Sequence, residues 1–426
     1  MNQAFRSGLS CTGSILSINS SSITAELPLA CLGSWFEIRN DYNQKILAQV
    51  VAIKNEYAQL IPISATSGLR AGDRLVPIGS SPALPLPIKY GHKLDALLNS
   101  NQNISSEGEV LCQELQVSHS KIISTQVLSG IPVIDAFFSI GFGQRIGIFS
   151  QPGAGKTTLL FKFAECTQFS KTIFALVGER SREVSECEEF VKNSTKKSSI
   201  TIVAATSAEP SVMRKTLAYS VMALAQYWAK QGEHVLIIFD SLTRWCRAVR
   251  EVGISSGEQL FQQGITISIL QELPRILECC GNFERGSITG IFSVLTKQAS
   301  TEDILSDEIK SLLDGHIYLD AQVKAIKDSP KIKWNLSCSR LWNNFHPYNF
   351  SVIADQIRQI IHTSQEIQEF KIFLGEELKN QNSNYASEVE FELNHLFEEL
   401  IISNYSLSEI RERLLCFYKT KVVNNN

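Results

Sequence analysis

Lys156 and Thr157 follow a run of small residues, Gly153-Ala154-Gly155, and together they are suited to holding a phosphate. The glycines leave successive backbone N–H groups free to curl around an anion. Lys156 supplies a point charge for β- and γ-phosphates, Thr157 a hydroxyl for Mg²⁺, and Thr158 carries the chain into a helix whose positive dipole end adds to the field. The octad Ser150-Gln151-Pro152-Gly153-Ala154-Gly155-Lys156-Thr157 therefore reads as a P-loop, with one departure: Ser150 stands where the pattern asks for Gly, and its Cβ restricts the backbone. The apolar run Ile146 to Phe149 predicts a buried strand before the loop. Leu159, Leu160, Phe163 and Ala164 predict an amphipathic helix after it, and this order favours a nucleotide site over a chance Gly-rich loop.

Two further strand ends carry acids. His234-Val235-Leu236-Ile237-Ile238-Phe239-Asp240 is an apolar strand ending in a carboxylate, a hard oxygen on a rigid element, which makes Asp240 the Walker-B candidate for Mg²⁺. The alternative is an N-cap for a helix starting near Leu242, a role compatible with the first. Val177-Gly178-Glu179-Arg180 ends the other strand, where Glu179 is placed to orient or polarise an attacking water and Arg180 to face phosphate. An exposed loop acid is the alternative for Glu179.

The elements that must position these groups alternate. Strands are expected at Ile173 to Val177, Ile200 to Ala205 and Val235 to Phe239, and helices at Glu183 to Val191 and Ser211 to Ala229, the latter opened by Pro210 and stopped by Gly232. Such alternation predicts an α/β fold with a parallel sheet that binds ligands at the carboxyl ends of its strands. Before this unit, short apolar runs (Ser14 to Ile18, Ile46 to Val51, Gln59 to Ile63) separated by turn signals predict a small β-barrel over residues 1–80, in which the few aromatics, Tyr57 among them, are core or surface filler. A Pro/Ser/Asn-rich connector over 81–119 leads to the P-loop domain at 120–348. From 349 to 426, apolar stripes (Ile357, Ile360, Ile361; Phe370, Phe373, Leu374; Phe391, Leu393, Leu396, Phe397, Leu400) and a Ser406-x-x-Glu409 capping box predict helices whose apolar faces form a core.

The 426-residue chain is long enough for two or three domains. A formal net charge of -3 gives no electrostatic reason to bind nucleic acid, and no run of 18 apolar residues or signal-peptide core is present, so a cytoplasmic location is expected. The 10 cysteines form no Cys-x-x-Cys pair, several lie in apolar settings such as Leu414-Leu415-Cys416-Phe417, and they read as reduced core thiols, the adjacent Cys279-Cys280 among them.

Gly178-Glu179-Arg180-Ser181-Arg182-Glu183-Val184, Asp240-Ser241-Leu242-Thr243-Arg244, Gly286-Ser287-Ile288-Thr289 and Asp314-Gly315-His316-Ile317 fall in the order seen in rotary-type ATPases, and the combination resembles the flagellar and type III secretion export ATPases from about residue 10 to about 345. The resemblance implies a RecA-like ATPase core, a barrel that holds a homohexameric ring, and a helical C-terminal domain that meets chaperones and cargo. It also implies ATP and Mg²⁺ as ligands, stalk, stator and other export-apparatus partners, and a peripheral position at the inner membrane through them. Carried residue by residue, it makes Lys156 and Thr157 the phosphate and Mg²⁺ contacts, Glu179 the catalytic carboxylate, Asp240 the Walker-B acid, and Arg340, in Ser337-Cys338-Ser339-Arg340, the arginine that reaches a neighbouring subunit's γ-phosphate. Read by itself, an arginine after a polar strand is a solvated charge.

The chain departs from the family in three places. Pro330-Lys331-Ile332-Lys333-Trp334-Asn335-Leu336 lacks the usual small residue and acid after the proline, Ser329 occupies the region of the adenine-stacking aromatic, and Gly264-Ile265-Thr266-Ile267-Ser268 replaces the pore-facing Gly-Tyr-Pro-Pro-Ser. Ser150 and the altered approach to Arg340 motivate a second reading, a low-turnover nucleotide-binding ring scaffold of the same apparatus. An RNA-translocating hexameric ATPase is a third, disfavoured by the charge.

Overall fold

The computed structural model describes residues 12–79 apart from 20–21, 29, 40–44, 56, 64–65 and 67; 121–296 apart from 262–263; 304–374 apart from 322 and 324–329; and 381–423 apart from 404. The expected connector at 81–119 and Ser329 lie outside the described residues.

Strands β1 (Gly13–Ile18), β2 (Ile23–Glu26), β3 (Trp35–Arg39), β4 (Lys45–Lys54), β5 (Tyr57–Pro62) and β6 (Arg74–Gly79) close into an antiparallel barrel in the order β1-β2-β5-β4-β3-β6. Alternate residues point inward, as the period of two requires, so that Ile15, Ile23, Ala25, Phe36, Ile38, Ala48, Val50, Leu60 and Leu75 fill the interior. Closure leaves no open sheet edge. Tyr57 is half exposed, a surface residue.

After a short pair, β7 (Gln126–Val127) with β8 (Ile140–Gly141), comes the main sheet: β9 (Arg145–Ser150), β10 (Lys171–Val177), β11 (Ile200–Ala205), β12 (His234–Asp240), β13 (Gly281–Asn282), β14 (Ser287–Leu295), β15 (Gly315–Leu319) and β16 (Cys338–Ser339). Its order is β11-β10-β12-β14-β9-β15-β16; the neighbours from β11 to β15 pair in parallel, β16 closes the edge antiparallel, and β13 pairs with β14. The central strands are apolar on both faces because helices cover both. Ile146, Ile148, Phe174, Leu176, Leu236 and Ile238 pack toward the helix Lys156–Ala164 that follows the P-loop. The intervening Phe149, Ile173, Ala175, Val235, Ile237 and Phe239 pack toward helices Ser211–Lys230, Leu242–Ser255 and Ile267–Leu277. The last of these begins inside the Gly264-to-Ser268 segment, so the residues after Thr266 are helical, and Gly264 turns with φ 77°. Cys279 and Cys280 belong to the second face, where burial pushes both thiols up, the Cys279 thiol to about 12, as expected of inert core cysteines.

Helices Tyr348–Leu374, Gln381–Ser403 and Leu407–Phe417 make up the C-terminal region. Ile357, Ile361, Leu393, Phe397 and Leu400 are buried as their spacing predicts, in one continuous core with Phe137, the last residue of helix Pro132–Phe137, and Phe138 just after it. The Arg358 guanidinium lies over Trp342, 4.5 Å from the ring centroid, and beside Phe137 and Phe138, a cation–π arrangement that ties the region to the sheet domain. Ser406 caps the last helix by accepting from the Glu409 N–H at 3.2 Å. The side chains of Phe370, Phe373 and Leu374 lie outside the described residues, and among those described some do not follow the expectation. Phe391 is 63% exposed, and Cys31, Cys338 and Cys416, expected as core thiols, are exposed as well. In a helix whose inward residues are Ile410, Leu414 and Phe417, position 416 falls on the opposite side despite its apolar neighbours.

Candidate functional site: the P-loop and the strand ends around it

The P-loop leaves β9 at its carboxyl end. Gly153 and Gly155 adopt φ 81° and 88°, a left-handed backbone open to glycine, and a Cβ at either would meet nothing within 4 Å, so the loop is limited by its dihedrals and its concavity is free. Gly155 is the N-cap of helix Lys156–Ala164, so Ala154, itself buried, and Gly155 lead directly to the positive end of that helix. Thr157 and Thr158, in the first turn of that helix, are exposed. Ser150 costs the loop nothing in backbone terms. It is the last residue of β9, in register with Leu295 on one side and Leu319 on the other, with an extended backbone that any residue adopts.

Lys156 reaches across to β12, where its ammonium pairs with Asp240 Oδ1. Ser293 on the neighbouring β14 donates its hydroxyl to the same oxygen at 2.5 Å, so both contacts fall on Oδ1. Asp240 does not cap the next helix; Ser241 does, accepting from the Arg244 N–H at 3.3 Å, which frees the carboxylate for ligand. The donor set of Asp240 and Thr157 is all hard oxygen beside an open phosphate cradle, and it fits Mg²⁺.

Glu179 lies beyond the end of β10 and is 1% exposed, so it is no loose surface acid. Its Oε2 is held by Arg244 at 3.0 Å, while Oε1 is buried without a hydrogen-bond partner. Burial above all, then the adjacent Glu183 carboxyl and the charge of Asp240, push Glu179 up to about 8, against the opposing pull of Lys156 and Arg244. A carboxyl with one anchored and one free oxygen, titrating near neutrality, is equipped to hold a water and exchange its proton. Arg180, next along, is exposed at the start of helix Ser181–Asn193.

Arg340 is not with this group. It follows the two-residue edge strand β16, and its N–H donates to Asp314 O at 2.9 Å. Gly315 pairs with both Ile146 and Ser339, so Arg340 sits at the amino end of the parallel strands, whereas the P-loop leaves their carboxyl end. The separation along β9 is roughly 17 Å at about 3.3 Å per residue, more than an arginine side chain spans. The exposed guanidinium has one internal contact, to Lys310 O at 3.3 Å, among those described.

Sequence reasoning gave Arg244 and Ser293 no role. Arg244 was visible in the Asp240-Ser241-Leu242-Thr243-Arg244 run, one helical turn past an acid; Ser293 could be found only through the pairing of β12 with β14, because nothing in its own segment marks it.

Residues 130–339 match the ATP synthase alpha/beta family, nucleotide-binding domain. The chain is 33% identical over 330 residues to a type 3 secretion system ATPase of Xanthomonas euvesicatoria, covering 75% of this chain and 74% of that protein. It is also 34% identical over 311 residues to a flagellum-specific ATP synthase of Treponema pallidum, covering 70% and 68%. Among solved structures, the assembled ATPase EscN of the enteropathogenic E. coli type III secretion system superposes with a TM-score of 0.77 at 30% identity, covering 95% of this chain and 99% of that one. A second EscN structure of the same similarity is in complex with its central stalk EscO.

Proposed function

The chain belongs to the family of type III secretion and flagellum-specific ATPases, and from that premise we propose that it hydrolyses ATP with Mg²⁺ in a homohexameric ring to drive release and unfolding of export substrates. The observation that carries the reading is the convergence of Lys156, Asp240 and the half-free Glu179 on the glycine cradle from three different elements.

The residues divide the work as follows. Backbone N–H groups from Gly153 to Thr158 and the helix dipole bind the phosphates, and Lys156 turns from Asp240 to the β- and γ-oxygens. Thr157 and Asp240 would hold Mg²⁺, which when bound neutralises phosphate charge. Arg244 fixes Glu179 by one oxygen so that the other receives the attacking water, orients it and takes its proton. Arg180, at the mouth of the same site, faces phosphate. Arg340 completes the site of the adjacent subunit, which accords with its distance from its own P-loop; a guanidinium there stabilises charge developing on the γ-phosphate.

The C-terminal helices would serve chaperones and cargo, and the stalk and stator proteins of the apparatus would hold the ring beside the inner membrane. No helix among the described residues is long and apolar enough to cross a membrane. The test is genetic. In the native host, removing this chain should abolish export of the apparatus's secreted substrates, and re-expression should restore it with the natural sequence and not with Lys156→Ala. Undiminished export without the chain, or full rescue by Lys156→Ala, contradicts the proposal.

A further inference from the structure

Gln144 is completely buried and uses its whole amide. Oε1 accepts from the Gly141 N–H at 2.8 Å; Nε2 donates to Ser339 Oγ at 3.0 Å and to Asp314 O at 3.4 Å. Those last partners frame Arg340. Ser339 precedes it and donates its own hydroxyl to Ser139 O at 2.7 Å, and Asp314 O is the acceptor for the Arg340 N–H. The next residue along, Arg145, grips the Asp314 carboxylate through its backbone N–H at 2.9 Å and through Nε and an η nitrogen at 3.0 Å each, and its other η nitrogen meets Glu278. A two-residue edge strand has too few ladder bonds to fix its own end. Here the missing constraint comes from Gln144 and Arg145, which stand at the start of the strand that ends in the P-loop.

We infer that Gln144 is a positioning residue for Arg340, setting the guanidinium that this subunit offers to its neighbour's nucleotide, and that β9 thereby links the two half-sites at opposite ends of one strand. The inference rests on the reading of Arg340 as an arginine acting in trans. It has a consequence that a general role in stability lacks: damage at Gln144 is felt in the adjacent site and not in the P-loop to which Gln144 is covalently closest.

Complementation separates the two. Arg340→Ala and Lys156→Ala define two groups, because each supplies what the other lacks when mixed in one ring. Gln144→Met keeps the side-chain length and removes every polar atom, and its kcat should fall by about 10- to 100-fold, the scale of a small misplacement of a reacting group, with the KM for ATP near that of the natural sequence. In mixed rings, verified by tagged co-purification, activity should return with Lys156→Ala, whose Arg340 is sound, and stay low with Arg340→Ala. Ser339→Ala removes only one hydroxyl and should fall in the same group with a smaller loss; it decides the matter should Gln144→Met fail to assemble. Recovery with Arg340→Ala and not with Lys156→Ala would place the damage in the variant's own P-loop and overturn the inference, as would unchanged kcat in both variants. Failure of Arg340→Ala and Lys156→Ala to restore one another is a different result. It removes the trans reading itself and is seen without any variant of Gln144.

Discussion

In the proposed role of Glu179 as the carboxylate that handles the attacking water's proton, burial supplies the chemistry. A carboxyl in water is a weak base for a water proton, whereas one that is 1% exposed, anchored by Arg244 on one oxygen and raised to about 8, accepts and returns a proton near physiological pH. Glu179→Gln keeps the shape and the P-loop, so nucleotide binding should be retained while hydrolysis falls by about 100-fold or more, the usual scale for a proton-transferring group. Lys156→Ala should instead lose nucleotide binding, as read by fluorescent-nucleotide titration; normal binding by that variant, or normal turnover by Glu179→Gln, contradicts the assignment. The sequence carried much of this scale. Residue types and their places after apolar runs pointed to Lys156, Thr157, Asp240 and Glu179, since a P-loop and a strand-end acid are local patterns. Which oxygen of Asp240 is occupied, and by Ser293 from a strand 53 residues away, was illegible because it depends on sheet register.

At the scale of elements, the join between the sheet domain and the C-terminal helices contains a group with its own pH signature. His346 Nε2 lies 2.7 Å from Ser139 Oγ, whose hydroxyl donates to Asp135 O, so Nε2 must carry the proton, and Nδ1 is buried without a partner. Burial first, then the charges of Arg411 and Arg358, lower His346 to about 3. The folded value lies below the free one, so the stability contributed by neutral His346 is fully present above about pH 6.5 and lost as pH falls toward about 3. Thermal melts of the natural sequence and His346→Gln should therefore differ most at neutral pH and converge on acidification; a gap that does not change with pH contradicts the argument. The elements themselves were largely legible: the barrel, the alternating sheet domain and the terminal helices follow from periods of two and of 3.6. The shared core of the sheet domain and the helices was not, because an apolar stripe such as Ile357, Ile361, Leu393 and Phe397 does not say against what it packs. Cys416 shows the same limit, since local apolarity without helical phase put it on the wrong side.

At the scale of the molecule, Lys156, Asp240 and Glu179 gather at one end of the sheet while Arg340 stands at the other. On the proposed reading, a chain built this way holds two halves of two sites, and one copy alone has no complete one. Hydrolysis should therefore depend on assembly. The direct measurement is steady-state Mg²⁺-dependent ATP hydrolysis by the purified protein over a range of protein concentrations, with the oligomeric state followed in the same samples by light scattering. The account predicts that activity per subunit is low where monomers dominate and rises together with the hexamer. Activity per subunit that is constant from monomer to ring, or no hydrolysis by the assembled ring, would contradict it.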